Sequence, residues 1–125
     1  MRKSQKIKRI LLLEDDADIR ESLVDVLAAE GYGVIAARNG QEGINALREA
    51  SELPDLIILD LMMPVKDGVA FRLEQQAEPR WKGIPVIVMT ADPNAIRQLE
   101  ATKGSYLRKP VDLEELLLTI QRQFG

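Results

Sequence analysis

The residues able to do chemistry are an acidic run, Glu14-Asp15-Asp16, a lone Asp60, Thr90, and the pair Lys109-Pro110. Carboxylates held together repel one another, and a hard divalent cation relieves that repulsion. Oxygen ligands, few in number, suit Mg²⁺ that keeps several of its waters. A lysine adds a point charge matched to a phosphoryl group, and a threonine hydroxyl adds a donor. A carboxylate beside a metal, a lysine and a hydroxyl has the makings of a phosphoryl acceptor. Each piece alone has a plainer reading. The acidic run is a loop or cap cluster, Asp60 caps a turn, Thr90 ends a strand, and Lys109-Pro110 is a turn.

What joins them is their place in the pattern. Continuous apolar runs occur at Ile10–Leu13, Val34–Ala37, Leu56–Leu59 and Val86–Met89, with a shorter one at Tyr106-Leu107. Runs of this length point to strands covered on both faces, as in a parallel sheet. Helix-type segments alternate with them. Ile19, Leu23, Val26 and Leu27 share a face that Gly31 ends. Asn39 caps a helix with Ile44 and Leu47. Asp67-Gly68 opens a third helix with an irregular apolar stripe of Val69, Phe71, Leu73 and Ala77. Ile96 and Leu99 mark a fourth, and Asp112 caps a fifth carrying Leu113, Leu116, Leu117 and Ile120. Five βα units predict an α/β domain with helices on both faces of the sheet. Its site lies at the carboxyl ends of the strands, where Glu14 to Asp16, Asp60, Thr90 and Lys109 all fall.

The composition narrows the chemistry. The chain has 125 residues, the size of one domain. With no cysteine and no histidine, thiolate sites, disulfides and His-based proton transfer are excluded. The net charge of −3 argues against a general nucleic-acid surface. No apolar run approaches the ~20 residues of a membrane helix. The basic start (Arg2, Lys3, Lys6, Lys8, Arg9) precedes too short an apolar stretch for a signal peptide. A cytoplasmic protein with a flexible basic start over residues 1–7 is expected. A dinucleotide-binding or P-loop reading fails for want of a glycine-rich first loop. An EF-hand fails for want of its loop glycine. A haloacid dehalogenase-type phosphatase needs a second acid where Met62 stands.

These pieces resemble the receiver domain of bacterial two-component response regulators, over nearly the whole length from Lys8 to Phe124. The matching segments are LLLEDD, DLMMPVKDG from Asp60 to Gly68, Thr90-Ala91, and YLRKP from Tyr106 to Pro110. The resemblance implies a flavodoxin-like (βα)5 fold with strand order 2-1-3-4-5, as a single chemotaxis-type domain over residues 1–125. It implies Asp60 as phosphoryl acceptor and Mg²⁺, with Mn²⁺ as the alternative ion. The ligands would be Asp15 directly, Glu14 through water, Asp60, and the Met62 backbone carbonyl. Lys109 would contact the phosphoryl group and be followed by a cis peptide to Pro110. Thr90 and Tyr106 match a switch pair, and Pro64 and Gly68 would shape the loop after Asp60.

The function implied is a switch. A histidine kinase or histidine phosphotransfer protein would supply the phosphoryl group, and the chain would catalyse only its own phosphorylation and dephosphorylation. The output is a change in contacts with a downstream protein, as a monomer or a phosphorylation-linked dimer. Neither nucleic acid nor a membrane is an expected partner. The alternative is an interaction module with the same fold that works without phosphate. No output domain follows Gln123, which suits a stand-alone receiver or a piece of a longer chain. Two departures stand out. Arg72 occupies a position the family usually fills with an apolar residue. The stretch between Thr90 and Ile96 is a few residues short. Asp92-Pro93 reads as the start of a helix reaching about Thr102, ended by Gly104. Ala91 would be almost the only slack behind Thr90.

Overall fold

The computed structural model describes residues 7–63, 66–101 and 105–124, with the side chains of 98–101 left aside. Five strands alternate with five helices: β1 (Arg9–Leu13), α1 (Ala17–Ala29), β2 (Gly33–Ala37), α2 (Gly40–Glu49), β3 (Leu56–Asp60), α3 (Gly68–Ala77), β4 (Val86–Thr90), α4 (Pro93–Ala101), β5 (Ser105–Arg108) and α5 (Leu113–Phe124). All pairings are parallel, in the order β2-β1-β3-β4-β5. The expected sheet, order and two-sided covering are therefore present. No helix among the described residues is long and apolar enough to cross a membrane. Of the expected flexible start, residues 1–6 lie outside the described residues, as do Pro64, Thr102 and Gly104.

The strand pattern divides the core by the period-2 alternation of a pleated strand. Ile10, Leu12, Ile58, Ile87 and Met89 join Leu23, Leu27, Leu116 and Ile120 on the α1/α5 face. Leu11, Leu13, Ile57, Leu59 and Val88 join Ile44, Leu47 and Phe71 on the α2/α3 face. β3 and β4 are buried along their whole length, as continuous apolar runs imply. β2 is not, because it is an edge strand and the helices centre over the inner strands. Ile35 and Ala36 are exposed, contrary to the two-sided covering read from their apolar run.

Helix starts follow the sequence closely. Asp16 caps α1 through the Ile19 N–H, Asn39 caps α2 through the Glu42 N–H, and Asp67 caps α3 through the Ala70 N–H. Asp112 accepts from the Glu114 and Glu115 amides at the start of α5. Gly31 follows α1 at φ 91°, the left-handed conformation that glycine adopts at no cost. On α1, Leu23 and Leu27 are buried, but Ile19 is exposed.

The stripe expected on α3 is corrected. Val69, Leu73 and Ala77 face solvent, and the buried pair is Phe71 and Gln75. Gln75 is buried because its amide nitrogen donates to the Trp81 and Ile84 carbonyls at 2.8 and 3.1 Å, closing the turn into β4. Arg72 donates to the Gln75 Oε1 at 2.7 Å, which accounts for an arginine at an unusual place. A buried amide must be satisfied, so polar groups here replace an apolar stripe.

Gly68 brings α3 against the end of β3. A Cβ on it would lie 2.6 Å from the Leu61 Cα and 2.7 Å from the Asp60 carbonyl oxygen, both main-chain atoms. Gly68→Ala is expected to lower stability by about 1–3 kcal/mol through overpacking. Gly83→Ala, where a Cβ meets nothing within 4 Å, serves as the control. Urea denaturation of both variants checks this, and equal midpoints would contradict it.

Candidate functional site

Register sets the site. Leu13 pairs with Leu59, so Glu14 follows β1 beside Asp60 at the end of β3. Asp60 in turn pairs with Met89, which places Thr90 one step further along β4. Thr90 pairs with Arg108, and Lys109 follows at the end of β5, its N–H donating to the Thr90 carbonyl at 3.0 Å. The acidic residues, Asp60, Thr90 and Lys109 thus meet at one carboxyl edge.

One carboxylate oxygen from each of Glu14, Asp15 and Asp60 lies within 4.8 Å of the others. Glu14 and Asp60 are buried and Asp15 is exposed. Lys109 Nζ sits 3.1 Å from Asp60 Oδ2 and 3.3 Å from Glu14 Oε1. Asp60 Oδ1 accepts the Met62 N–H at 3.1 Å, so the main chain after β3 turns back over the carboxylate. The Met62 side chain itself points to solvent. The Glu14 main chain is pinned by its N–H to the Ala37 carbonyl at 3.0 Å.

Charge in this pocket is unevenly distributed. Burial pushes the Glu14 carboxyl up to about 7; the Asp16 N–H lowers it, the Asp60 carboxylate raises it further, and Lys109 lowers it. Burial alone would lower the Lys109 ammonium, but the Asp60 and Glu14 carboxylates outweigh it and hold it above its ordinary value. Three acids gather where one lysine pairs with only two of them, Glu14 and Asp60, so the cluster can take a further positive charge. All-oxygen donors of this number fit a Mg²⁺ ion that retains water, and the exposed Asp15 leaves the approach open.

The other expected residues fall as follows. The Thr90 hydroxyl is buried and accepts the Asp92 N–H at 3.1 Å. Tyr106 is half-buried on β5 opposite Val88, on the same face of the sheet as Thr90 but two residues lower. The Lys109–Pro110 peptide is cis. Gly68 lies under the Asp60 carbonyl as described.

Two features were not singled out from the sequence. One is the bond from the Asp92 amide to Thr90. The other is Arg20, whose Nη1 donates to the Glu14 and Asp15 carbonyls at 3.0 and 3.3 Å. The available signal for Arg20 was a cation near a helix N-terminus, where the macrodipole disfavours it.

A family model for the response regulator receiver domain matches residues 10–121. The response regulator MprA of Mycolicibacterium vanbaalenii is 38% identical over 87% of the chain and 47% of its own length. The phosphate regulon transcriptional regulatory protein PhoB of Escherichia coli is 35% identical over 91% of the chain and 50% of its own length. The chain spans about half the length of these two relatives. Among solved structures, the chemotaxis protein CheY4 of Vibrio cholerae superposes with a TM-score of 0.82 at 29% identity, covering 94% of this chain and 98% of that one.

The Glu14 environment has a consequence for pH. Below its ordinary value of 4.5, Glu14 is protonated in folded and unfolded chains alike and contributes nothing to the difference. Between 4.5 and about 7 only the folded chain keeps the proton, so Glu14 erodes stability as pH rises, with the full cost present above about 7. In metal-free buffer, Glu14→Gln is therefore expected to gain on the parent as pH rises through this window. Denaturant titrations at several pH values check this. A gap independent of pH would contradict it.

Proposed function

The chain belongs to the response regulator receiver domain family, whose function is phosphorylation on an aspartate, and from that premise we propose that Asp60 is its phosphoryl acceptor. The observation that carries this reading is the convergence of Asp60, Glu14, Asp15 and Lys109 at one edge of the sheet. Lys109 and a main-chain N–H reach both Asp60 and Glu14, and the resemblance of the segment from Asp60 to Gly68 to the family's motif singles out Asp60 of the two. Glu14, Asp15, Asp60 and the Met62 carbonyl would hold Mg²⁺, or Mn²⁺ in its place, which would supply positive charge to offset that of the phosphoryl oxygens.

The residues divide the work by position. An Asp60 oxygen forms the new O–P bond while the donor's bond to phosphorus breaks, and the donor leaves with that electron pair. Lys109, already 3.1 Å from Asp60, takes up the phosphoryl oxygens. The burial of Asp60 and Glu14 keeps the carboxylates short of competing water, and positioning with charge compensation supplies most of the catalysis. The chain thus catalyses its own phosphorylation and dephosphorylation and no other reaction.

The donor is a histidine kinase or a histidine phosphotransfer protein, and the output goes to a downstream protein in the cytoplasm. A groove of about 380 Å³ lined by Ile19, Leu23, Pro110, Val111 and Leu113 opens beside Lys109. Its exposed rim of Ile19 and Leu113 suits an apolar helix face on the donor. A module indifferent to phosphate would not need the acceptor, the acid pair and the lysine together, and all are present here.

Thr90 transmits the change. Its hydroxyl accepts from Asp92, whose Oδ1 in turn accepts the Asn94 N–H at 2.9 Å at the start of α4. With Ala91 alone between them, a Thr90 side chain drawn towards a phosphoryl oxygen pulls on the Asp92 amide it holds, and through Asp92 on the first turn of α4. Movement of α4 is then the readout.

Two outcomes test the proposal. Asp60→Asn should abolish acid-labile phosphate incorporation from acetyl phosphate, and full labelling of that variant would sink it. On phosphorylation of the parent, amide exchange at Asp92 to Arg97 should speed up. Unchanged protection there would remove α4 as the readout.

A further inference from the structure

Arg20 follows the α1 cap by one turn, its main-chain N–H donating to the Asp16 carbonyl at 2.9 Å. A guanidinium at this end of a helix works against the macrodipole. It is half-buried and turned back towards the loop that joins β1 to α1. There a single nitrogen spans two successive carbonyls, those of Glu14 and Asp15.

Holding those two carbonyls fixes the peptide planes on either side of Asp15. The loop has an awkward task. Glu14 must point into the protein and Asp15 out to solvent, yet both must deliver an oxygen to the same place, within 4.8 Å of Asp60. The Glu14 N–H is pinned to Ala37 and a Glu14 carboxylate oxygen accepts the Asp16 N–H at 3.2 Å. Both tethers act on Glu14, and Arg20 Nη1 adds the hold on the Asp15 carbonyl.

We propose that Arg20 is a positioning residue of the divalent-cation site, fixing the Glu14 and Asp15 carbonyls so that both carboxylates converge on Asp60. The proposal rests on the reading of that cluster as a Mg²⁺ site. Arg20 touches neither the metal nor the phosphoryl group. Its own charge opposes a dication nearby, so charge and positioning make opposite predictions. Removing Arg20 tightens Mg²⁺ binding if charge dominates and weakens it if positioning does.

The experiment is a Mg²⁺ titration of the full chain followed by amide NMR shifts at residues 14–16 and 60–62. The parent must first show saturable shifts there; if it does not, the metal reading itself fails and the proposal with it. Given parent binding, Arg20→Ala should raise the Mg²⁺ dissociation constant by about tenfold, the low end for loss of a group that orients metal ligands. Arg20→Lys keeps the charge, but its ammonium ends one bond short of the Nη1 position, and it should recover only part of the affinity. In acetyl phosphate labelling, the half-saturating Mg²⁺ concentration should rise while the rate at saturating Mg²⁺ stays near the parent's. The melting temperature of Arg20→Ala without metal should stay close to the parent's, and the rise on adding Mg²⁺ should shrink.

Mg²⁺ affinity in Arg20→Ala equal to or tighter than the parent's would overturn the proposal. So would an equal loss of melting temperature with and without Mg²⁺ at unchanged affinity, the mark of a residue that only supports the fold. If Arg20→Ala does not fold, parent-like affinity in Arg20→Lys overturns it.

Discussion

Glu14 and Asp60 are buried carboxylates at the ends of adjacent strands, and the ammonium of Lys109 lets them share that space. Burying an ion costs several kcal/mol even after relaxation. A pair at the 3.1 Å of Lys109 and Asp60 gains about 5 kcal/mol at an effective dielectric of 20. One lysine serving two buried acids is therefore close to break-even. An arrangement so balanced responds to any new charge, whether a cation at the acids or a phosphoryl group at the lysine. The Glu14 carboxyl is raised to about 7, first by burial and then by the Asp60 carboxylate, and Lys109 offsets only part of this.

Everything else in the fold serves to hold those groups in register. Parallel pairing makes every carboxyl end emerge at the same edge, so groups distant in sequence meet without any loop having to travel. Fully buried β3 and β4 supply the stiffness. Gly68 lets α3 approach the Asp60 main chain, and the Met62 amide returns to the Asp60 side chain.

What was legible in the sequence follows from this division. Inner strands bury both faces, so their uninterrupted apolar runs announce both the strand and its end, and the acids and Thr90 stand at those ends; Lys109 follows the shorter run of the edge strand β5. Capping residues were equally readable, because Asp16, Asn39, Asp67 and Asp112 each bond locally to amides two or three residues on. The edge strand was misjudged, since Ile35 has the composition of a core residue without the neighbours to cover it. The α3 stripe was misread because the buried role there went to Gln75, whose partners are carbonyls in the following turn. Arg20 and the Asp92 amide escaped for a related reason. They act on or through main-chain atoms and a hydroxyl, and a residue's letter does not say which carbonyl it will find.

Trp81 is the only tryptophan in the chain, and it sits in the turn before β4, at the amino ends of the strands. It is buried, and its indole N–H finds no partner among the described residues. The five residues of β4 separate it from the carboxylates by about 16 Å at ~3.3 Å per residue. The molecule's natural fluorophore is thus lodged at the far end from its ionic chemistry. Its emission will follow unfolding faithfully and remain nearly blind to events at the acidic edge. For this chain, an optical silence on adding an ion says nothing about whether the ion has bound.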